Sequence, residues 1–153
     1  MSYVTEEWEQ TVARRPVAVV AALVLLVEAV GIVILNGILA TFVGKQNMSL
    51  AHLDPDAMVT GTWAMGGVMG LYLAACGVAL LLMGVRDRGP GRVARIMLIS
   101  CAVVHGVLGA LTVGLVGWSA FAFMMVVLGL IVLTLLAYGT ERGAAESGAP
   151  VTA

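Results

Sequence analysis

The chain has 153 residues, a formal net charge of −1, 61% hydrophobic and 11% charged residues, and a mean hydropathy of +1.04. That composition is too apolar for one soluble domain and belongs to a polytopic membrane protein, while the near-neutral charge argues against a nucleic-acid partner. Cys76 and Cys101 both lie in apolar runs without a CxxC pairing, which leaves no disulfide framework or thiol redox centre and predicts buried free thiols.

Residues 1–16 read as a cytoplasmic N-terminal segment, either an interfacial helix lying on the membrane or a frayed tail with one tryptophan. Thr5 is its candidate cap, Glu6, Glu7 and Glu9 stand early, Arg14 and Arg15 late, and Val4, Trp8, Thr11 and Val12 share a face. From Val17 to Val43 the chain is apolar apart from Glu28, Gly31, Asn36, Gly37 and Thr41. At about 1.5 Å per residue this run reaches ~40 Å, longer than the ~20 residues that cross a hydrocarbon core or the ~7 to 15 of a signal-peptide core, so it is expected as an uncleaved helix. Glu28 falls near its middle, where an ionisable side chain is costly and therefore a functional candidate.

The loop 44–58 carries Lys45, His52, Asp54 and Asp56, and Asp54-Pro55 is a helix start signal with the proline at the first helical position. Met48, His52 and Met58 are soft copper-type ligands, but they are too scattered to define a metal site, and none is assigned. The second span is expected near 57–85, with Trp63 toward an interface, Tyr72 near mid-span and a small-residue stripe of Gly66, Gly70 and Ala74. A basic turn follows, Arg86-Asp87-Arg88-Gly89-Pro90-Gly91-Arg92, running on to Arg95. The third span, near 93–115, carries Ala102, Gly106, Ala110 and Gly114 at a spacing of four, and its stripe is expected to pack on that of the second. Cys101, His105, Gly109 and Thr112 make a second, mildly polar stripe. Gly117-Trp118-Ser119 predicts a tight turn with Ser119 capping a fourth span near 119–139, and 140–153 reads as a disordered cytoplasmic tail.

The fold class expected is an all-α membrane protein, a bundle of four transmembrane helices spanning 17–139. Arg14, Arg15, Arg86, Arg88, Arg92, Arg95 and Arg142 fall on one side and Lys45 alone on the other, which predicts that both termini are cytoplasmic. The arginine-rich, Ala/Val/Gly-rich composition suggests a GC-rich bacterial source, hence the bacterial cytoplasmic (inner) membrane.

Counting from the arginines, Glu28 lies ~20 Å deep, Tyr72 ~21 Å and His105 ~15 Å. The three, with Asn36, form a candidate intramembrane polar site, able either to take up and release protons or simply to hold the helices in one arrangement. A glutamate in the middle of the first of four apolar helices resembles the small multidrug resistance transporters. The resemblance covers the glutamate and the helix count; the strong charge bias and the 44–58 loop depart from that family's pattern, so neither its antiparallel dimer nor its drug site is carried over. The Arg14-Arg15-Pro16 start, Glu28 and the basic central loop also look like uncharacterised small four-span integral membrane proteins of bacteria, a resemblance that implies no activity.

Haem ligation, quinone-linked disulfide chemistry and intramembrane proteolysis all need residue sets the spans do not contain, so neither an enzyme nor a cofactor is expected. The function expected is that of a non-enzymatic accessory or scaffold component of a membrane assembly. Its partners would be the lipid bilayer, another membrane protein or a second copy, with the Arg86–Arg95 loop as the contact. The alternative is a small proton-linked transporter or channel subunit using Glu28 and His105.

Overall fold

The computed structural model of the protein describes residues 3–46 and 54–139, with side chains over 14–45 and 54–139. Expectations placed on Met48, His52, the side chains of 3–13 and the tail 140–153 lie outside the described residues. Four helices follow one another: α1 (Tyr3–Gln46), α2 (Pro55–Arg86), α3 (Arg92–Leu115) and α4 (Trp118–Ala137). All four are long and apolar enough to cross a membrane, with mean hydropathy between 2.2 and 3.0 over their most apolar stretches.

The helix termini show why the chain breaks where it does. Asp54 caps α2, its Oδ1 accepting the Asp56 N–H at 3.1 Å, and Pro55 opens the helix, where a missing N–H costs nothing. α2 ends at Arg86, and Asp87 follows with φ 50, a left-handed conformation that aspartate tolerates better than most residues. α1 runs unbroken from Tyr3 through Pro16. Proline's fixed φ is itself helical, and the ring is accommodated there at the loss of one backbone hydrogen bond. One expectation is corrected here: Ser119 does not cap α4, and Gly117 takes that position with φ 116, a value glycine adopts freely.

The chain divides into two compact units, one of 25–75 and one of 1–24 with 76–153. In the first, the second half of α1 and the first half of α2 form an antiparallel hairpin at close range. A Cβ added at Gly66 would lie 2.5 Å from the Asn36 Cβ, one at Gly70 2.5 Å from Val33 Cγ2, and one at Gly37 2.8 Å from the Trp63 ring. In the second unit α3 and α4 pack along each other. Leu98, Cys101, Ala102, His105 and Gly109 are the buried positions of α3, and Val127, Ile131 and Thr134 those of α4. Ala18, Ala21 and Ala22 of α1 and Leu80 and Met83 of α2 are buried in the same unit.

Within its own unit each small-residue stripe meets a sequence-adjacent helix: Gly66 and Gly70 meet α1, while Gly106 meets Leu128 of α4 at 3.3 Å and Gly109 meets Met125. The spacing on α3 decides which of its positions are covered. A step of four residues turns about 40° past a full revolution, so a strict run from Ala102 to Gly114 winds roughly a third of the way round the helix. Ala110 and Gly114 end up exposed, and nothing lies within 4 Å of a Cβ placed at Gly114. The buried positions of α3 taken together, Leu98, Cys101, Ala102, His105 and Gly109, mix steps of three and four and stay on one side.

Candidate functional site

The most developed polar constellation is one the sequence reading did not single out. It forms where α1, the α2–α3 turn and the end of α4 come together. Gly84 of α2 sits against Val19, Ala18 and the Arg15 carbonyl, with 2.9 Å from its would-be Cβ to Val19 Cγ2, so the two backbones approach closely. That approach brings Arg14 and Arg15 to Asp87, whose Oδ2 accepts a hydrogen bond from each guanidinium at 3.0 Å. The Tyr138 hydroxyl, at the end of α4, donates to Asp87 Oδ1 at 3.5 Å, and the Arg14 guanidinium lies 5.4 Å from the centre of the Tyr138 ring. One carboxylate thus ties together three separated parts of the chain.

The electrostatics follow from this arrangement. The hydrogen bond from Arg15 draws the Asp87 carboxyl below its ordinary 3.8; burial pulls the other way, and the bond and charge of Arg14 deepen the fall. The Tyr138 phenol is pushed above 10.0, first by burial and then by the Asp87 charge. Arg14 and Asp87 keep 13% and 18% of their side chains exposed against 56% for Arg15, so the Arg14 arm is the dry one. A lone acid in a turn rich in arginines was the available signal.

The residues singled out for the spans are distributed as follows. Glu28, Tyr72 and Asn36 are half-buried and belong to the 25–75 unit, whereas His105 belongs to the other. Asn36 donates from Nδ2 to the Ile32 carbonyl at 2.8 Å, one turn back, while its stem covers Gly66. It is a packing residue at the closest point of the hairpin. His105 is 2% exposed, and its Nδ1 lies 2.9 Å from the Cys101 carbonyl and 3.6 Å from Cys101 Sγ. A carbonyl only accepts, so Nδ1 carries the proton in that contact. Among the described residues, no three His, Cys, Asp or Glu side chains gather as a metal site.

Fold and site together define an all-helical protein with four helices long and apolar enough to span a membrane, held at one end by an Arg–Asp–Arg cluster. Comparison with protein-family models, curated proteins and solved structures gives no match to the chain.

Proposed function

We propose that the protein is a multi-pass component of a bacterial inner membrane, with both termini and the Arg86–Arg95 loop on the cytoplasmic side. It works there without catalysis, as an accessory or scaffold for other membrane proteins. The observation that carries this reading is the way the charges at the arginine-rich end are used. Asp87 is committed to Arg14 and Arg15, which makes it a structural tie, whereas Arg86, Arg88, Arg92 and Arg95 are exposed and without an ion-pair partner among the described residues. A fixed internal lock beside an outward cationic face suits a protein that holds others in place. Large apolar side chains such as Val27, Val68, Leu71 and Leu115, each at least 70% exposed, leave wide surfaces for lipid or neighbouring helices. Affinity purification after mild solubilisation tests the reading: other membrane proteins should be recovered in fixed proportion, and recovery of a lone homogeneous species counts against it.

A second reading is favoured by His105. A buried imidazole with Nδ1 held by a carbonyl, in a chain that also carries Glu28 inside an apolar span, suits a proton-linked transporter or channel subunit. Proton-coupled flux measured in proteoliposomes should then give a signal that vanishes in Glu28→Gln. The absence of such a signal removes this reading.

A further inference from the structure

We propose that the cationic end of the molecule, centred on Arg95, is a binding site for the headgroup of an anionic phospholipid. This deepens the scaffold reading by naming the partner of its basic face, and it rests on the membrane placement given there.

Three observations lead to it. The first is charge. Around the α2–α3 turn stand Arg86, Arg88, Arg92 and Arg95, all exposed, and the acid among them, Asp87, has Oδ2 occupied by Arg14 and Arg15 and Oδ1 by Tyr138. The surplus positive charge has no counterpart among the described residues. The second is shape. A small hollow is lined by Arg95, Pro90, Leu135, Tyr138 and Gly139. It sets the exposed Arg95 beside proline, leucine and tyrosine, so cationic and apolar residues meet there as they do at the headgroup level of a bilayer. The hollow adjoins the ion cluster through Tyr138, which is 2% exposed and hydrogen-bonded to Asp87, so one wall is held rigid. The third is the immediate surroundings. Val85, Val93 and Ile96 are 68%, 72% and 61% exposed and alternate with the arginines, so the same patch offers apolar surface where acyl chains would begin.

This combination favours a lipid over a soluble acidic partner. A guanidinium binds phosphate through paired N–H donors, and arginines at the boundary of a hydrophobic segment attract anionic headgroups. α3 adds to the attraction, since it starts at Arg92 with no acid in its first turn and no side-chain cap at Gly91.

The test uses the full-length protein, purified alone in a neutral detergent and examined by native mass spectrometry. Phosphatidylglycerol and phosphatidylcholine with identical acyl chains are offered in competition, with and without inorganic phosphate. Phosphatidylglycerol should be retained preferentially, and excess inorganic phosphate should leave its adducts in place. Arg95→Gln should weaken retention by about fivefold, and joint replacement of Arg86, Arg88 and Arg92 as well should abolish the preference. Lys45→Gln, a charge change at the far end of α1, should leave it untouched. The arginines are exposed, so the variants should melt as the parent does. Equal retention of the two lipids, unchanged retention in Arg95→Gln, or displacement by inorganic phosphate overturns the proposal. Because no other protein is present, a failure of the scaffold reading in co-purification leaves this result standing, and the reverse holds too.

Discussion

At the scale of the residue, Asp87 joins otherwise separate pieces of the chain, and its two arginines are not equivalent. Arg15 contributes most to lowering the carboxyl's pKa, but its side chain is 56% exposed and water screens the pair. Arg14, 13% exposed and stacked near the Tyr138 ring, loses more when its partner goes. Arg15→Gln is therefore expected to cost under about 1 kcal/mol and Arg14→Gln about 1.5 to 3 kcal/mol, measured by thermal unfolding in detergent. Asp87→Asn tests the hub with little change of shape, and asparagine also accepts the positive φ. The pH dependence has a definite sign. A carboxyl whose folded pKa is depressed stabilises the fold fully above its unfolded value, here near 3.8, and the increment disappears as pH falls through the folded value. The melting temperatures of wild type and Asp87→Asn should differ at about pH 6 and converge as pH falls through the depressed folded-state value, below 3.8. A constant difference across that range would show that the charge of Asp87 is not what matters.

At the scale of the element, the close contacts of the helices separate glycines that fill a need from glycines that do not. Gly66 and Gly67 are neighbours on α2, yet a Cβ at Gly66 meets Asn36 Cβ at 2.5 Å and one at Gly67 meets nothing within 4 Å. The Asn36 Cβ is fixed to its own backbone and can move only if α1 moves. Gly66→Ala should therefore destabilise by about 1 to 3 kcal/mol, whereas Gly67→Ala should be neutral or stabilise by about 0.5 to 1 kcal/mol. Gly109 falls between the two, because its nearest neighbour at 2.6 Å is the methyl end of Met125, a flexible side chain that can swing aside. Equal effects of Gly66→Ala and Gly67→Ala on the unfolding temperature would mean that α1 and α2 do not approach as closely as described. Small side chains recur on α1 as well. Ala18, Ala21, Ala22, Leu25 and Ala29 are all at most 5% exposed and follow the steps of three and four that keep one face inward.

At the scale of the whole molecule, the open quantity is which end of the helices faces which compartment. The charge bias is the basis on which we propose a cytoplasmic α2–α3 turn. Cys76 and Cys101 are buried, so replacing both should be tolerated and gives a background free of thiols. Gly91→Cys suits the inner side, since a Cβ there meets nothing within 4 Å, and Lys45→Cys, at an exposed position, suits the outer. An impermeant maleimide added to intact cells should label Lys45→Cys and spare Gly91→Cys. The opposite pattern would invert the topology.

The amino-acid sequence by itself determined that there are four long apolar helices, that Asp54-Pro55 begins the second, and that glycine and proline end one helix and start another between Arg86 and Arg92. These are properties of neighbouring residues: hydropathy summed along a run, the fixed φ of proline, a cap two residues away. It did not determine which helix each glycine meets. In a chain that is apolar on every side there is no amphipathic contrast to point a face inward, and a four-residue stripe names a close contact without naming the partner. Only the tertiary structure assigned Gly66 to Asn36 and Gly106 to Leu128, and gave Asn36 a packing contact with α2. The Asp87 cluster was hidden for a related reason. Its members are more than 70 residues apart from Arg14 to Asp87 and 51 from Asp87 to Tyr138, and no local pattern announces a carboxylate shared across that distance.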